Sequence, residues 1–253
     1  MSDSLVIIPT YNEKENVVAM LEAVMELECE FDVLVVDDGS PDGTASLVSG
    51  QVAKFPGRIN LLERKGKLGL GTAYIAGFKW ALEREFDYIF EMDCDFSHNP
   101  RDLVRLRYAI AKTEGEGGGG YGEPGAASVS VGSRYVKGGG VVNWPWGRRV
   151  ISRGASIYVN SVLWLGVQDS TAGFVGYRSE VLRAIELDEV EFIGYAFQIE
   201  MKLRAKRKGY AIVEVPISFC DRVLGTSKMS MDIFREAFLG VLKMKVFRKK
   251  FGG

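Results

Sequence analysis

The fold is decided by the stretch Tyr88-Ile89-Phe90-Glu91-Met92-Asp93-Cys94-Asp95, in which an apolar strand ends in two carboxylates. Alternation along a strand places Asp93 and Asp95 on one face and Cys94 on the other. Two carboxylates at this spacing suit Mg²⁺ or Mn²⁺ rather than zinc, with water and substrate phosphate oxygens completing the shell. The pair therefore indicates a metal–diphosphate site, although an Asp-x-Asp by itself is more often a solvated strand end.

Short β-branched runs alternate with amphipathic stretches of helical length on both sides of this strand. The predicted strands span residues 5–9, 33–37, 59–62, 88–92 and 128–132, and the predicted helices between them span 16–27, 44–55, 72–84 and 100–113. This order predicts an α/β fold with a mostly parallel central sheet and helices on both faces. Because ligands bind at the carboxyl ends of such strands, the polar residues that follow them are expected to share one rim.

The second half of the chain adds a helix at residues 150–167, a turn at Thr171-Ala172-Gly173-Phe174, a helix near 197–208, a strand at 211–215 and a final helix. Residues 115–125 are rich in glycine and are expected to form a flexible surface loop. We expect one catalytic domain over residues 1–230, followed by a C-terminal amphipathic basic helix over 231–253. Arg153 and Asn160 interrupt the most apolar segment, which therefore favours a buried helix over a membrane span.

Composition limits the classes of function. Thirty-two Lys and Arg stand against 33 Asp and Glu, which gives a net charge of −1 and excludes the basic field typical of nucleic-acid-binding proteins. The 3 cysteines are far apart and lack the spacing of a zinc site or a disulfide framework. The start Met1-Ser2-Asp3-Ser4 lacks the basic segment of a signal peptide. These features predict a cytoplasmic protein that binds anions through local groups only.

Two further stretches follow predicted strands. In Asp37-Asp38-Gly39-Ser40-Pro41-Asp42-Gly43-Thr44, Ser40 or Asp42 is expected to cap the next helix. Asp38 is expected to be free to accept hydrogen bonds from a ribose or base. The stretch Lys65-Gly66-Lys67-Leu68-Gly69-Leu70-Gly71-Thr72 does not match a Walker loop. It is predicted to let a loop and a helix pack closely beside the site.

Several cations and the single histidine are candidates for the chemistry. Arginine suits bidentate phosphate recognition, although any single cation here is more typical of a solvated surface. The cations outside helical charge ladders are Arg134, Arg148, Arg149, Arg153, Arg222 and Lys228. His98 is predicted to cap the helix that follows it rather than to act as a base. Cys94 is predicted to pack in the interior.

The motifs together resemble a known family. They are Pro9-Thr10-Tyr11-Asn12-Glu13, the Asp37–Thr44 and Gly69–Tyr74 stretches, Met92–His98, Gly132-Ser133-Arg134-Tyr135 and Thr171–Phe174. In this order they resemble the dolichyl-phosphate (polyprenyl-phosphate) mannose synthases, inverting family 2 glycosyltransferases of GT-A fold. The similarity runs from Pro9 to about Lys228.

The resemblance implies a role for individual positions. The guanosine and ribose of GDP-mannose would be held by Pro9, Tyr11, Glu13, Val36 and Asp38. The metal, Mg²⁺ or Mn²⁺, would be held by Asp93 and Asp95 beside the Cys94 backbone. Arg222 and Lys228 would close over the diphosphate and act in catalysis with Asp95. The acceptor phosphate would be held by Arg134, Arg148 and Ser152. Cys94 stands where alanine is usual, and Ser97 where some members offer a glutamine to the metal, so Ser97 as third ligand stays open.

The implied reaction moves mannose from GDP-mannose to a polyprenyl (dolichyl-type) monophosphate with inversion, giving polyprenyl-phosphate mannose and GDP. A phosphate monoester is already ionised near neutral pH, so no general base is required. Two alternatives stay open at this point. One is a polyprenyl-phosphate glucosyltransferase or another family 2 glycosyltransferase, and the other is a non-catalytic nucleotide-sugar-binding subunit.

The C-terminal segment is predicted to be an amphipathic helix. Apolar residues recur at helical spacing at Phe234, Ala237, Phe238, Val241 and Leu242, and the cations Lys243, Lys245, Arg248, Lys249 and Lys250 follow. Such a helix is typical of a protein that lies peripherally on the cytoplasmic face of a membrane. A helix packed on the domain with a solvated tail is the alternative. Whether a small membrane-protein partner is needed stays open.

Overall fold

The structure is a computed structural model that describes residues 2–111, 127–221 and 231–251, with the backbone alone for 231–236 and 249. The glycine-rich segment predicted at 115–125 lies outside the described residues, and so do Arg222 and Lys228.

The described residues form strands and helices in alternation. The strands are β1 (Ser4–Thr10), β2 (Asp32–Asp37), β3 (Ile59–Glu63), β4 (Tyr88–Glu91), β5 (Val129–Ser133), β6 (Gly140–Val142), β7 (Val175–Arg178), β8 (Ile212–Pro216) and β9 (Ser218–Cys220). The helices are α1 (Val17–Met25), α2 (Thr44–Lys54), α3 (Leu70–Glu83), α4 (Asp102–Ile110), α5 (Trp146–Leu163), α6 (Ser179–Ala184), α7 (Tyr195–Arg207) and α8 (Met231–Val246). Short 3₁₀ helices span Leu187–Glu189 and Arg248–Phe251.

The central sheet has the strand order β3-β2-β1-β4-β7-β5-β8. Its strands are parallel except β7, which runs antiparallel to both β4 and β5. The carboxyl ends of β1, β2, β4 and β5 therefore lie at one edge, and the turn that precedes β7 joins them there. Strands β6 and β9 form a separate two-stranded parallel sheet.

The sheet is buried on both faces. Leu5 and Ile7 of β1 point into a core shared with α3, α5, α6, α7 and α8, whereas Val6 and Ile8 point into a core shared with α1, α2 and α4. A strand covered on both sides has no solvent face, which is why β1 and β2 read as continuous apolar runs. The predicted α/β architecture with helices on both faces is confirmed.

The C-terminal segment packs on the domain. Val241, Met244 and Phe251 are at most 1 % exposed and belong to the first of these cores. Arg204 and Arg207 of α7 donate hydrogen bonds of 3.1–3.2 Å to main-chain carbonyl oxygens between residues 244 and 251. The described part of this segment is therefore anchored to α7. Among the described helices, none combines the length and apolar character needed to cross a bilayer.

The elements that were predicted agree with observed ones to within a few residues, but β6, β7, β9 and α6 were not predicted. The helix expected to be buried, α5, buries only Ser156, Val159 and Leu163, which corrects that expectation. The sequence reading placed a turn at 171–174 and no strand after it, yet β7 lies in the middle of the sheet. Gly176 makes this position possible, because a Cβ there would lie 2.5 Å from the ring of Phe90 on β4.

Candidate active site

The turn after β2 is organised by Asp37. This carboxylate is 1 % exposed and accepts hydrogen bonds from the Thr10 hydroxyl (2.8 Å) and from both the hydroxyl (2.6 Å) and the backbone N–H (2.8 Å) of Ser40. The Ser40 hydroxyl in turn accepts the Asn12 N–H at 3.0 Å. Asp37 therefore joins the ends of β1 and β2 and has a structural role.

Asp42 fastens the start of α2 to the segment after β1. It accepts hydrogen bonds from the backbone N–H (3.1 Å) and hydroxyl (2.6 Å) of Thr44 and from the Lys14 N–H (3.2 Å). Asp42 lies just before the helix, whose N-cap is Gly43 and carries no side-chain cap, which corrects the prediction that Ser40 or Asp42 caps it. The Thr44 hydroxyl accepts the Glu13 N–H at 3.0 Å, and Asn16 donates to the Glu13 carboxylate at 3.0 Å. Glu13 is thereby held in place at the rim.

Asp38 is paired, which corrects the expectation that its carboxylate is free. It is 6 % exposed, and its Oδ1 accepts a 2.6 Å hydrogen bond from Nε of Arg64. Arg64 follows β3 and also donates to the Thr72 hydroxyl at 2.9 Å. The second oxygen, Oδ2, accepts only a long 3.4 Å contact from the Leu68 N–H among the described residues. Arg64, which was not predicted from sequence, orients the Asp38 carboxylate. Its hydrogen bond to Oδ1 leaves Asp38 Oδ2 available to accept a hydrogen bond from a ligand.

The stretch before α3 brings a helix close to the site, as predicted. The Gly71 N–H donates to the Ile193 carbonyl at 2.9 Å, and a Cβ at Gly71 would lie 2.8 Å from the Phe197 ring. The Lys67 ammonium lies 5.1 Å from the centre of the Tyr11 ring, which is a cation–π contact.

Pro9 and Val36 are neighbours in register on β1 and β2. The Val36 side chain is 0 % exposed and lies in the core. Helices cover both faces of this strand, so the implied contact with a nucleotide cannot use the Val36 side chain.

The two aspartates after β4 lie at the same edge. Asp93 is partly buried and Asp95 is 8 % exposed, with its Oδ1 accepting the Ser97 N–H at 3.0 Å. The Ser97 hydroxyl is buried and has no hydrogen-bond partner among the described residues. Cys94 packs in the core as predicted, and burial raises the pKa of its thiol.

Asp93, Asp95 and Ser97 suit a metal ion whose coordination shell is completed by water and by substrate oxygens. The described residues contain no cluster of three or more His, Cys, Asp or Glu that could hold a metal without help. Two carboxylates and an unpartnered hydroxyl suit a hard cation whose remaining positions are taken by water and phosphate oxygens.

His98 is a core residue, which corrects the prediction that it caps α4. Its ring stacks on Phe174 at 4.8 Å and meets the edge of Phe219 at 5.2 Å. Desolvation by burial lowers its pKa to about 4, so the ring is neutral near neutral pH. The neighbouring Asn99 side chain accepts the Arg101 N–H at 3.1 Å instead.

Arg134 follows β5 and is held by Asp169, a residue that the sequence reading missed. Its Nε and Nη2 donate to the two oxygens of Asp169 at 2.7 and 2.6 Å, and Asp169 is fully buried. Burial by itself would lower the pKa of Arg134, but the hydrogen bonds and charge of Asp169 outweigh it and raise that pKa. Glu214 accepts the Asp169 N–H at 2.9 Å, which fixes the carboxylate from behind.

Arg148 and Ser152 lie one turn apart on α5 and face the same region. Arg148 donates to Asp221 at 2.8 Å and lies 4.1 Å from the centre of the Trp144 ring. The Ser152 hydroxyl accepts a 2.6 Å hydrogen bond from the Tyr135 hydroxyl. The three residues implied as acceptor contacts thus belong to one neighbourhood, where the pairs Arg134–Asp169 and Arg148–Asp221 are each neutral.

A buried polar chain lies beneath the edge. Gln198 of α7 donates to Glu91 at 2.5 Å, and Lys202 donates to the Ala172 carbonyl at 2.7 Å and to the Gln198 carbonyl at 3.2 Å. Desolvation raises the pKa of Glu91 to about 8 and lowers that of Lys202 to about 8. This series of hydrogen bonds connects β4, which Asp93 follows, with the turn before β7.

The chain matches a protein-family model and curated relatives. Residues 5–119 match the model described as Glycosyl transferase family 2. The chain is 45% identical over 238 residues to polyprenol monophosphomannose synthase from Mycolicibacterium smegmatis, with 94% of this chain and 85% of that protein covered. It is 46% identical over 239 residues to undecaprenyl-phosphate mannosyltransferase from Micrococcus luteus, with 94% and 92% covered.

Solved structures agree in fold. Glucosyl-3-phosphoglycerate synthase from Mycobacterium tuberculosis, in complex with Mn²⁺, UDP and glucosyl-3-phosphoglycerate, superposes with a TM-score of 0.65 at 15% identity, covering 96% of this chain and 79% of that one. The mannosyltransferase PcManGT from Pyrobaculum calidifontis, in complex with GDP-Man and Mn²⁺, gives a TM-score of 0.57 at 17% identity, covering 98% and 63%. The predicted GT-A fold is confirmed.

Proposed function

This chain belongs to glycosyl transferase family 2, and from that premise we propose that it transfers mannose from GDP-mannose to a polyprenyl (dolichyl-type) monophosphate with inversion. The products are polyprenyl-phosphate mannose and GDP. The observation that carries the proposal is the 45% and 46% identity, over nearly the whole chain, to two enzymes that are named for mannose and a polyprenyl phosphate. The polar rim supports it, because donor-side and acceptor-side residues lie at one edge of the sheet.

On the donor side, Pro9, Tyr11, Glu13 and Asp38 would bind the nucleoside, with Val36 contributing backbone only. Asp38 Oδ2 is the oxygen that Arg64 leaves available, so it would accept a ribose hydroxyl or a base N–H. The Arg64–Asp38 pair favours nucleotide binding, because a carboxylate already held in one orientation loses little conformational freedom when the nucleotide binds.

Asp93 and Asp95 would hold a divalent metal, Mg²⁺ or Mn²⁺, with the Ser97 hydroxyl as third protein ligand and the Cys94 backbone nearby. The unpartnered Ser97 hydroxyl supports this assignment. When bound, the metal supplies positive charge for the diphosphate of the leaving GDP. Arg222 and Lys228 would add charge to the same group, acting with Asp95 in catalysis; both lie outside the described residues.

On the acceptor side, Arg134, Arg148 and Ser152 would hold the phosphate so that one of its oxygens attacks the anomeric carbon of mannose. Asp169 occupies Nε and Nη2 of Arg134, which leaves Nη1 to bind the phosphate. A monoester phosphate already carries the required negative charge near neutral pH. No base is needed, and His98, being buried and neutral, is not available as one.

We place the protein peripherally on the cytoplasmic face of a membrane, with α8 at the interface. The outer face of the C-terminal segment exposes Leu239, Leu242, Val246 and Phe247, with Val246 71% exposed. Its inner face is buried, so the segment is both packed on the domain and apolar outside. This surface supports lipid contact, because soluble monomers rarely expose contiguous apolar patches of this kind.

Substitution tests this placement better than truncation, because removal of residues after 240 would also remove Val241, Met244 and Phe251 from the core. The variant Val246→Asp with Phe247→Asp should weaken co-sedimentation with anionic liposomes while leaving GDP affinity intact. Tyr108→Asp serves as the matched control. Tyr108 is 58% exposed on α4, which covers the other face of the sheet. Equal liposome binding by the double variant and the control would contradict the placement.

The experiment that tests the function is transfer of radiolabelled mannose from GDP-mannose to a short polyprenyl phosphate in detergent with Mn²⁺. Parallel reactions use UDP-glucose, EDTA, and the variant Asp95→Ala. Metal-dependent label in the lipid from GDP-mannose, absent with Asp95→Ala, is the expected result, whereas near-normal activity of Asp95→Ala would refute the metal role.

Two alternatives have distinct outcomes in the same assay. Transfer of glucose from UDP-glucose, with UDP competing better than GDP for binding, would mark a glucosyltransferase. Nucleotide binding with no transfer to any polyprenyl phosphate would favour a non-catalytic subunit. Transfer that begins only when membranes are added would indicate a small membrane-protein partner.

A further inference from the structure

A cavity beside α5 adjoins the acceptor residues and is not used by the site described above. It has a volume of 410 Å³ and is lined by Tyr135, Arg153, Ile157, Asn160, Ser161 and Gln168. Tyr135 directly follows Arg134, and Gln168 directly precedes Asp169. The chain neighbours of the Arg134–Asp169 pair therefore form part of the cavity wall.

Arg153 is the cation of this cavity. Its guanidinium lies 5.7 Å from the centre of the Tyr135 ring, and Tyr135 is hydrogen bonded to Ser152. Among the described residues Arg153 has no carboxylate partner, whereas Arg134 and Arg148 are paired with Asp169 and Asp221. Among the residues that line the cavity, the positive charge without a carboxylate partner is therefore that of Arg153.

The cavity continues along α5 away from this charge. Ile157, Asn160 and Ser161 follow Arg153 at helical spacing, and a second cavity of 430 Å³ begins at Asn160 and is lined by Trp164 and Val167. One helix face thus presents a cation at one end and two adjoining cavities beyond it, to which Ile157, Trp164 and Val167 contribute apolar surface. A ligand that matches this order has an anionic head and an apolar chain.

We propose that this cavity binds the acceptor's phosphate together with the first part of its isoprenoid chain, and that Arg153 is a further phosphate-binding residue. The inference rests on the proposed function. The acceptor monoester carries nearly two negative charges and the product diester carries one, so Arg153 binds the acceptor more strongly than the product and favours product release.

The test measures binding as well as turnover. A short-chain, water-soluble polyprenyl phosphate is titrated into the protein, and the corresponding alcohol, which lacks the phosphate, is titrated in parallel. Arg153→Gln should weaken phosphate binding and raise the acceptor KM about tenfold, with the KM for GDP-mannose unchanged. Arg153→Lys should recover most of the loss. Arg149→Gln, which removes an exposed arginine of the same helix, should behave like the wild type.

A second variant tests the channel. Ser161→Phe fills the cavity without changing charge, so it should weaken binding of the phosphate and of the alcohol alike. Equal acceptor affinity in Arg153→Gln and Arg149→Gln would overturn the proposal, even if mannose transfer is normal. Absence of mannose transfer by the wild type would refute the proposed function instead, and the titrations would still decide whether Arg153 binds the phosphate.

Discussion

Replacement of His98 by phenylalanine should make the protein more resistant to acid. In the folded protein the pKa of His98 is lowered from 6.5 to about 4, mainly because the ring is desolvated. Above pH 6.5 the ring is neutral in both the folded and the unfolded chain, so it contributes no pH dependence. Between 6.5 and 4 the unfolded chain binds a proton that the folded chain does not, so stability falls as the pH falls.

The loss of stability depends on how far the pKa of His98 is lowered in the folded protein. Each pH unit between 6.5 and about 4 costs about 1.4 kcal/mol, so the whole shift is worth about 3.5 kcal/mol, of which about 3 kcal/mol is lost by pH 4, where the folded ring is itself half protonated. Phenylalanine retains the stack on Phe174 and the edge contact with Phe219 but does not titrate. The wild type should therefore lose about 3 kcal/mol more than His98→Phe between pH 7 and pH 4.

Urea unfolding at both pH values and constant ionic strength measures this difference. The comparison of the two proteins cancels the contributions of the titratable groups that both proteins share. An identical loss of stability in the two proteins would refute the assignment of the pH dependence to His98. Mannose transfer by His98→Phe should stay within a few-fold of the wild type near neutral pH, and a loss of about 10² or more would identify His98 as a base after all.

Three further results are expected. Asp169→Asn should lower the free energy of unfolding by about 3 kcal/mol in denaturation assays and raise the acceptor KM in kinetic assays. The reason is that the amide would present N–H groups to the N–H donors of the Arg134 guanidinium. Asp188→Asn, which changes an exposed ion pair, should have neither effect. Gly71→Ala should cost about 1–3 kcal/mol in thermal denaturation because its Cβ meets backbone atoms, and Gly50→Ala on α2, where the space is open, should be neutral or stabilising. Glu91→Gln should be more stable than the wild type at pH 8 and similarly stable at pH 5. The raised pKa of Glu91 means that the free energy of unfolding of the wild type falls as the pH rises through that range. Equal pH profiles of the two proteins by calorimetry would contradict this.

The parallel half of the sheet could be predicted from sequence because its strands are apolar on both faces and end in recognisable turns. Strand β7 could not be predicted, because its four residues, Val175–Arg178, carry no local period and their pairing depends on β4 and β5. Its insertion between two strands that are distant in sequence depends on long-range contacts, one of which is the close approach of Gly176 to Phe90.

The candidate site likewise contains some residues that could be predicted from sequence and others that could not. Residues that follow a strand end, such as Asp38, Asp95 and Arg134, could be found by position alone. Their partners Arg64 and Asp169 could not be assigned, because each pair joins segments that are more than 25 residues apart. A signal for Arg64 did exist, since it directly follows β3, and the rule that found Asp38 applies to it equally.

The anchoring of the C-terminal segment by Arg204 and Arg207 uses main-chain oxygens as acceptors. A carbonyl is present at every residue, so these hydrogen bonds do not depend on which side chains the segment carries, whereas its packing depends on the buried Val241, Met244 and Phe251. During evolution the exposed positions of α8 are therefore free to change in apolar content or charge without release of the segment from the domain. Under the membrane placement proposed above, the same scaffold can in this way be adapted to bilayers of different lipid composition while the candidate active site is left untouched.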